Sequence, residues 1–105
     1  MNRISLVSEK MTLKGDFGRS DINFLVWDEG RHKFETHPSA DKHCIAAFCR
    51  QGNQMAVIRM HGSFSTSVKD AHFSWLKNGD GVHVGLEQYR LNFSVEKNGR
   101  SLFSF

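Results

Sequence analysis

A chain of 105 residues, 39% of them hydrophobic and with nine phenylalanines and two tryptophans, is sized for one domain with its own core and is too apolar for a disordered segment. Fourteen basic and eleven acidic residues leave a net charge of +3 with no basic block, which falls short of the electrostatic footprint of a dedicated nucleic-acid binder. No window approaches the roughly 18 apolar residues of a membrane helix, and MNRISLVSEKM has no run suited to a secretion signal, so the expected address is the cytoplasm.

Turn signals recur at intervals suited to short strands, so the expected fold is mainly β. Residues 1–105 should form a single-domain small antiparallel sandwich or barrel with one short helix at about residues 68–77. RISLVSEKMTLK, at 3–14, supplies one or two strands. DINFLVWDEGRHKFETH, at 21–37, reads as a hairpin turning at Glu29-Gly30, with Leu25 opposite Phe34 and Trp27 opposite His32.

HCIAAFCRQGNQMAVIRMH, at 43–61, reads as a second hairpin with a two-residue loop at Gly52-Asn53. That loop sets Phe48 opposite Val57, Ala47 opposite Ile58, Ile45 opposite Met60 and Cys44 opposite His61. The face made by Ile45, Ala47, Cys49, Ala56, Ile58 and Met60 is wholly apolar and is assigned to the core. Cys44, Ala46, Phe48, Arg50, Met55, Val57, Arg59 and His61 make the other face, whose mixture suggests partial cover or a ligand.

Beyond it, Ser67 as a cap, Asp70 three residues later, and Val68, Ala71, His72, Trp75 and Leu76 on one side predict the helix, ending before Asn78-Gly79. Ala71, Phe73 and Trp75 also alternate as a strand would. NGDGVHVG lacks the lysine-serine ending of a phosphate loop and reads as a turn into a strand. YRLNFSVE alternates dry and wet positions. A three-residue loop with left-handed Gly99 would then pair Phe93 with Phe103 and Leu91 with Phe105, giving an apolar C-terminal edge suited to a homodimer.

Chemistry is thin. In HPSADKHCIAAFCRQGN, Cys44 and Cys49 are five positions apart, so an extended strand separates them by about 16 Å and points them to opposite faces. They can then neither form a disulfide nor share a metal. Cys44 opposite His61, with Cβ atoms about 5 Å apart, is the minimum for an activated thiolate, but no orienting group accompanies the pair. The six histidines show no ligand spacing, and the carboxylates sit largely at turns such as Asp28-Glu29 and Asp80. No cofactor or metal is expected, and catalysis is not the favoured role.

Binding is favoured instead. The leading expectation is a non-catalytic interaction module for a macromolecular partner, most simply a protein, using Phe48, Arg50, Arg59, His61 and Cys44. Phe48 among Arg50 and Arg59 also suits stacking of single-stranded nucleic acid. Gly18-Arg19, His43, Gly62-Ser63, Asn78-Gly79-Asp80 and Val84-Gly85 follow one another in an order that resembles forkhead-associated domains, which are phosphothreonine-binding β-sandwiches. The family's serine-arginine pair falls here on Ala40 and Asp41, and its asparagine-glycine-threonine stretch on Phe64-Ser65-Thr66. The resemblance implies phosphopeptide binding as a further alternative.

Overall fold

The computed structural model describes residues 3–17, 19–68 and 71–95. Through them run β1 (Arg3–Val7), β2 (Thr12–Asp16), β3 (Ile22–Asp28), β4 (Arg31–Glu35), β5 (His43–Gln51), β6 (Gln54–Arg59), β7 (Phe64–Ser65), β8 (Phe73–Leu76), β9 (Gly81–Val84) and β10 (Glu87–Phe93). They pair into two antiparallel sheets of five strands: a first sheet ordered β2-β1-β10-β9-β7 and a second ordered β4-β3-β5-β6-β8. The fold is a mainly β, sandwich-like one.

Turn chemistry sets the registers. Glu29 (φ 51°) and Gly30 (φ 83°) are both left-handed, as a two-residue type I′ turn requires, and they fix Leu25 opposite Phe34 and Trp27 opposite His32. Gly52 (φ 65°) takes the first central position of the β5–β6 turn, fixing Phe48 opposite Val57 and Ala47 opposite Ile58. Met60 N donates to the Ile45 carbonyl at 2.9 Å, continuing the same register past the end of β6.

Between the sheets, Ile4, Leu6, Val82, Val84 and Leu91 of the first meet Leu25, Ala46, Phe48, Met55 and Val57 of the second. Along one side β2 approaches β4 so closely that a Cβ on Gly15 would lie 2.5 Å from the Phe34 Cβ. No other residue fits there without displacing one strand.

The second hairpin lies in the sandwich the other way up from the sequence reading. Phe48, Met55 and Val57 are fully buried in the core, whereas Ile58 and Met60 are exposed; of the expected core face, Ile45 does join the core cluster. A β-bulge intervenes: Leu25 pairs with Ala46 but Val26 pairs with Cys44, so Ile45 is an extra residue that resets the alternation of β5. Cys44 therefore shares a face with Cys49, not the opposite one, because their partners Val26 and Ile22 are four positions apart on the regular strand β3. Distance still separates the two thiols, since four strand positions on β3 span about 13 Å.

The expected helix at 68–77 is replaced by β8. The edge of β6 needs backbone partners, and Phe73–Leu76 supplies them by pairing Ile58 with Phe73 and Met55 with Leu76. Among the described residues no helix is long and apolar enough to cross a membrane. The expected pairing of Phe93 with Phe103 and of Leu91 with Phe105 falls on residues outside those described. Phe93 pairs with Ile4 and Leu91 with Leu6 on one side. On the other, Leu91 bonds to Gly79 and Asp80, and Phe93 to the Asn78 side chain.

Arg50 faces inward beside Phe48, its side chain 2% exposed against 50% for Asp21. Its Nε and Nη2 donate to Asp21 Oδ1 at 3.2 and 2.7 Å, its Nη1 donates to the Ser94 carbonyl at 2.9 Å, and its guanidinium carbon lies 4.3 Å from the Phe17 ring centre. One cation thus joins the β2–β3 loop, β5 and the end of β10. Asp21→Ala should lower the unfolding free energy in urea by about 2 kcal/mol, because it takes the paired carboxylate from a buried guanidinium while the half-exposed Asp21 itself had little burial to lose. Adding Arg50→Met should restore part of that loss, so the two effects will not add.

Candidate functional site

The two sheets turn different faces to solvent. On the first, the outward positions are Arg3, Ser5 and Val7 of β1, Thr12, Lys14 and Asp16 of β2, and Gln88, Arg90 and Asn92 of β10. That is the ordinary wet face of a half-buried sheet.

On the second sheet the outward positions are apolar from β3 across β5 and β6 to the β8 edge. One cross-strand row runs Phe24, Ala47, Ile58, Phe73, and the next runs Ile22, Cys49, Ala56, Trp75. With neighbouring strands about 4.8 Å apart, each row is roughly 15 Å long. Ile58, Phe73 and Trp75 are 45, 51 and 53% exposed, and the Phe73 and Trp75 rings pack edge to face with centres 5.5 Å apart. The outward side chains in the middle of the face, Ala47 and Cys49 on β5 and Ala56 on β6, are small, and they are flanked by Phe24 and Ile22 on β3 and by Ile58, Phe73 and Trp75 on β6 and β8.

One end of this face is closed by charge. Lys33 Nζ lies 2.9 Å from Asp28 and 3.2 Å from Glu35, and Lys42 Nζ lies 2.6 Å from Asp28 and 3.6 Å from Glu35. Two cations and two anions thus surround Val26, which is fully buried on that face. Hydrogen bonds from Lys33 and then Lys42 hold the Asp28 carboxyl down at about 2, below its ordinary 3.8, and both lysines are raised in return by Asp28.

The residues singled out in the sequence are mostly spent on structure. Phe48 is fully buried between Phe34 and Phe64, with ring centres 5.6 and 5.8 Å away, and so offers no face to a base. Arg50 forms the inward tie already described. Arg59 Nε donates to the Phe64 carbonyl at 2.8 Å and its Nη2 to Gly62 at 3.3 Å, bracing the β6–β7 loop.

His61 is exposed, and its Nδ1 accepts from the Ser63 backbone N–H at 3.0 Å. Cys44 does not meet it. The ladder ends at Ala46–Arg59, the chain turns back as Phe64 N bonds to the His61 carbonyl, and Cys44 pairs with Val26. Among the described residues no three His, Cys, Asp or Glu side chains gather as metal ligands would.

The positions behind the forkhead-associated resemblance do not converge either. Arg19 and Asn78-Gly79-Asp80 lie at the end of the sandwich that holds the β5–β6 turn, and His43, Gly62-Ser63 and Gly85 lie at the opposite end. The Asn78 side chain is occupied by both backbone groups of Phe93, at 3.0 and 2.6 Å. Comparison with protein-family models, curated proteins and solved structures finds no match to this chain.

Sequence reasoning missed Ile22, Phe24, Phe73 and Trp75 as surface groups, although the alternation of Ala71, Phe73 and Trp75 was the available sign. The ionic cluster makes a pH prediction. Because Asp28 is depressed in the folded chain, whatever it contributes is complete above about pH 4 and fades as pH falls through about 2. A carboxyl-carbon NMR titration should find Asp28 still ionised at pH 3, and Lys33→Met should move its midpoint back toward 3.8.

Proposed function

We propose that this chain is a non-catalytic protein-interaction module whose contact surface is the outer face of the second sheet. The observation that carries the reading is the contrast between the two outer faces: one polar, the other apolar across β3, β5, β6 and β8. A soluble domain seldom leaves so continuous an apolar patch uncovered, and such patches mark association surfaces. Large aromatic and aliphatic groups beside a band of small ones suit an apolar ridge from a partner, the arrangement in which a few anchors dominate binding.

Charge favours a protein over a polyanion. The cluster bordering the patch balances two lysines with an aspartate and a glutamate, leaving nothing at that border to neutralise phosphates. Nucleic-acid and phosphopeptide binding accordingly gain no support from the placement of Phe48, Arg50, Arg59 or His43. A cytoplasmic address belongs to the same reading, since Cys44 and Cys49 are free thiols on this face and a reducing compartment keeps them so.

Photocrosslinking in the native cell tests it. With p-benzoylphenylalanine replacing Trp75, a discrete protein adduct is expected, and Ile58→Ser in the same chain should reduce its yield at least fivefold while leaving the fold intact. The same group replacing Arg90 on the polar face should give none. Equal adducts from both faces, or none from position 75, would remove the proposal.

A further inference from the structure

A second feature lies away from that face, at the end of the sandwich carrying the β1–β2, β3–β4 and β9–β10 turns. A cleft of about 820 Å³ opens there between β2, the β3–β4 hairpin and the β9–β10 hairpin. Trp27 and His32 form one wall. They are cross-strand partners on the inward face of the second sheet, packed edge to face with ring centres 4.7 Å apart. Their place in the register is that of core residues, yet Trp27 is 43% exposed, because the cleft adjoins them where facing core would otherwise be.

The floor includes Leu13 and the Tyr89 ring. Tyr89 is only 4% exposed, and its hydroxyl has no hydrogen-bond partner among the described residues. The hydroxyl itself is open to solvent at the cleft, so it can donate to a ligand acceptor there.

At the rim, Arg31 and, reaching in from the outer side of the edge strand β2, Lys14 have no ion-pair partner among the described residues, while Lys10 is 3.8 Å from Glu87. Lys33 belongs to the ionic cluster on the outer face. The rim therefore carries uncompensated positive charge above an aromatic wall. Burial also lowers the His32 pKa, so its ring presents a neutral hydrogen-bonding edge at pH 7 and adds no further charge.

We propose that this cleft binds a small amphipathic anion, with a flat apolar body held against Trp27 and Leu13, an anionic group drawn to Lys14 and Arg31, and the Tyr89 hydroxyl donating to it. The volume fits a small-molecule site, and apolar walls with a few convergent polar groups are the usual composition of one. This site is independent of the protein-binding face, and either can fail without the other.

Titration of the full chain, labelled with nitrogen-15, against naphthalene-2-carboxylate and its neutral counterpart 2-naphthalenemethanol tests the idea by NMR. The carboxylate should shift the Trp27 indole N–H and the amides of residues 12–14 and 84–87 with saturation, and bind at least tenfold more tightly than the alcohol. Lys14→Gln with Arg31→Gln should erase that tenfold preference, and Tyr89→Phe should weaken the carboxylate about threefold with the fold retained, as judged by the unchanged spectrum elsewhere. Shifts confined to Trp75 and Phe73, no saturation below about 10 mM, or equal binding of acid and alcohol would each overturn the proposal.

Discussion

Side chains on a strand alternate every two residues, so a hairpin that is apolar on both faces can bury only one of them against the opposite sheet. The β5–β6 hairpin is such a ribbon. One face offers Phe48, Met55 and Val57, the other Ala47, Cys49, Ala56 and Ile58. Burying the three larger side chains contributes about 1.5–3 kcal/mol each, whereas the second set is mostly small and would fill less of the space between the sheets. The larger set goes in. Arg50 must follow it, two positions from Phe48, and the cost of burying a guanidinium is met by Asp21, the Ser94 carbonyl and the Phe17 ring.

The proposed contact surface is the remainder of that choice. Once Phe48 and Val57 face the core, Ala47 and Ile58 must face out, and the pairing of β6 with β8 extends the dry face to Phe73 and Trp75. A shared register with β3 adds Phe24 and Ile22. The first sheet faced no such conflict, because β1, β2 and β10 alternate apolar and polar residues cleanly and send Ser5, Lys14 and Asn92 outward. Where the second sheet does become polar, at Asp28, Lys33, Glu35 and Lys42, its charges pair among themselves, so the apolar patch is bounded without acquiring a net sign.

Local turn chemistry was the readable part of this chain. Glu29-Gly30 and Gly52-Asn53 specified two hairpins to the residue, since two-residue loops admit one register each. The mainly β class followed from the same signals. Orientation of the β5–β6 hairpin was not readable, because periodicity separates two faces without saying which one meets the other sheet when both are apolar. Ile45 looks like any strand residue, and only the pairing with β3 reveals it as a bulge that moves Cys44 to the face of Cys49. Ser67 and Asp70 spell a helix start locally, but the unpaired edge of β6 recruits Phe73–Leu76 as a strand. The candidate site inherits the ambiguity: alternation alone places Phe48 and Arg50 on the partly covered, ligand-suited side and Ile58 in the core, and the packing of the sheets reverses both.

Two adjacent residues decide the matter most directly. Val57 and Ile58 are neighbours of nearly equal size and chemistry, one fully buried and the other 45% exposed. Thermal unfolding of Val57→Asp and Ile58→Asp, followed by circular dichroism, should find the first unfolded or destabilised by more than about 3 kcal/mol and the second within about 1 kcal/mol of the parent chain. The reverse order, with Ile58→Asp unfolding the domain and Val57→Asp tolerated, would turn the hairpin over and contradict the assignment of the apolar face to the surface.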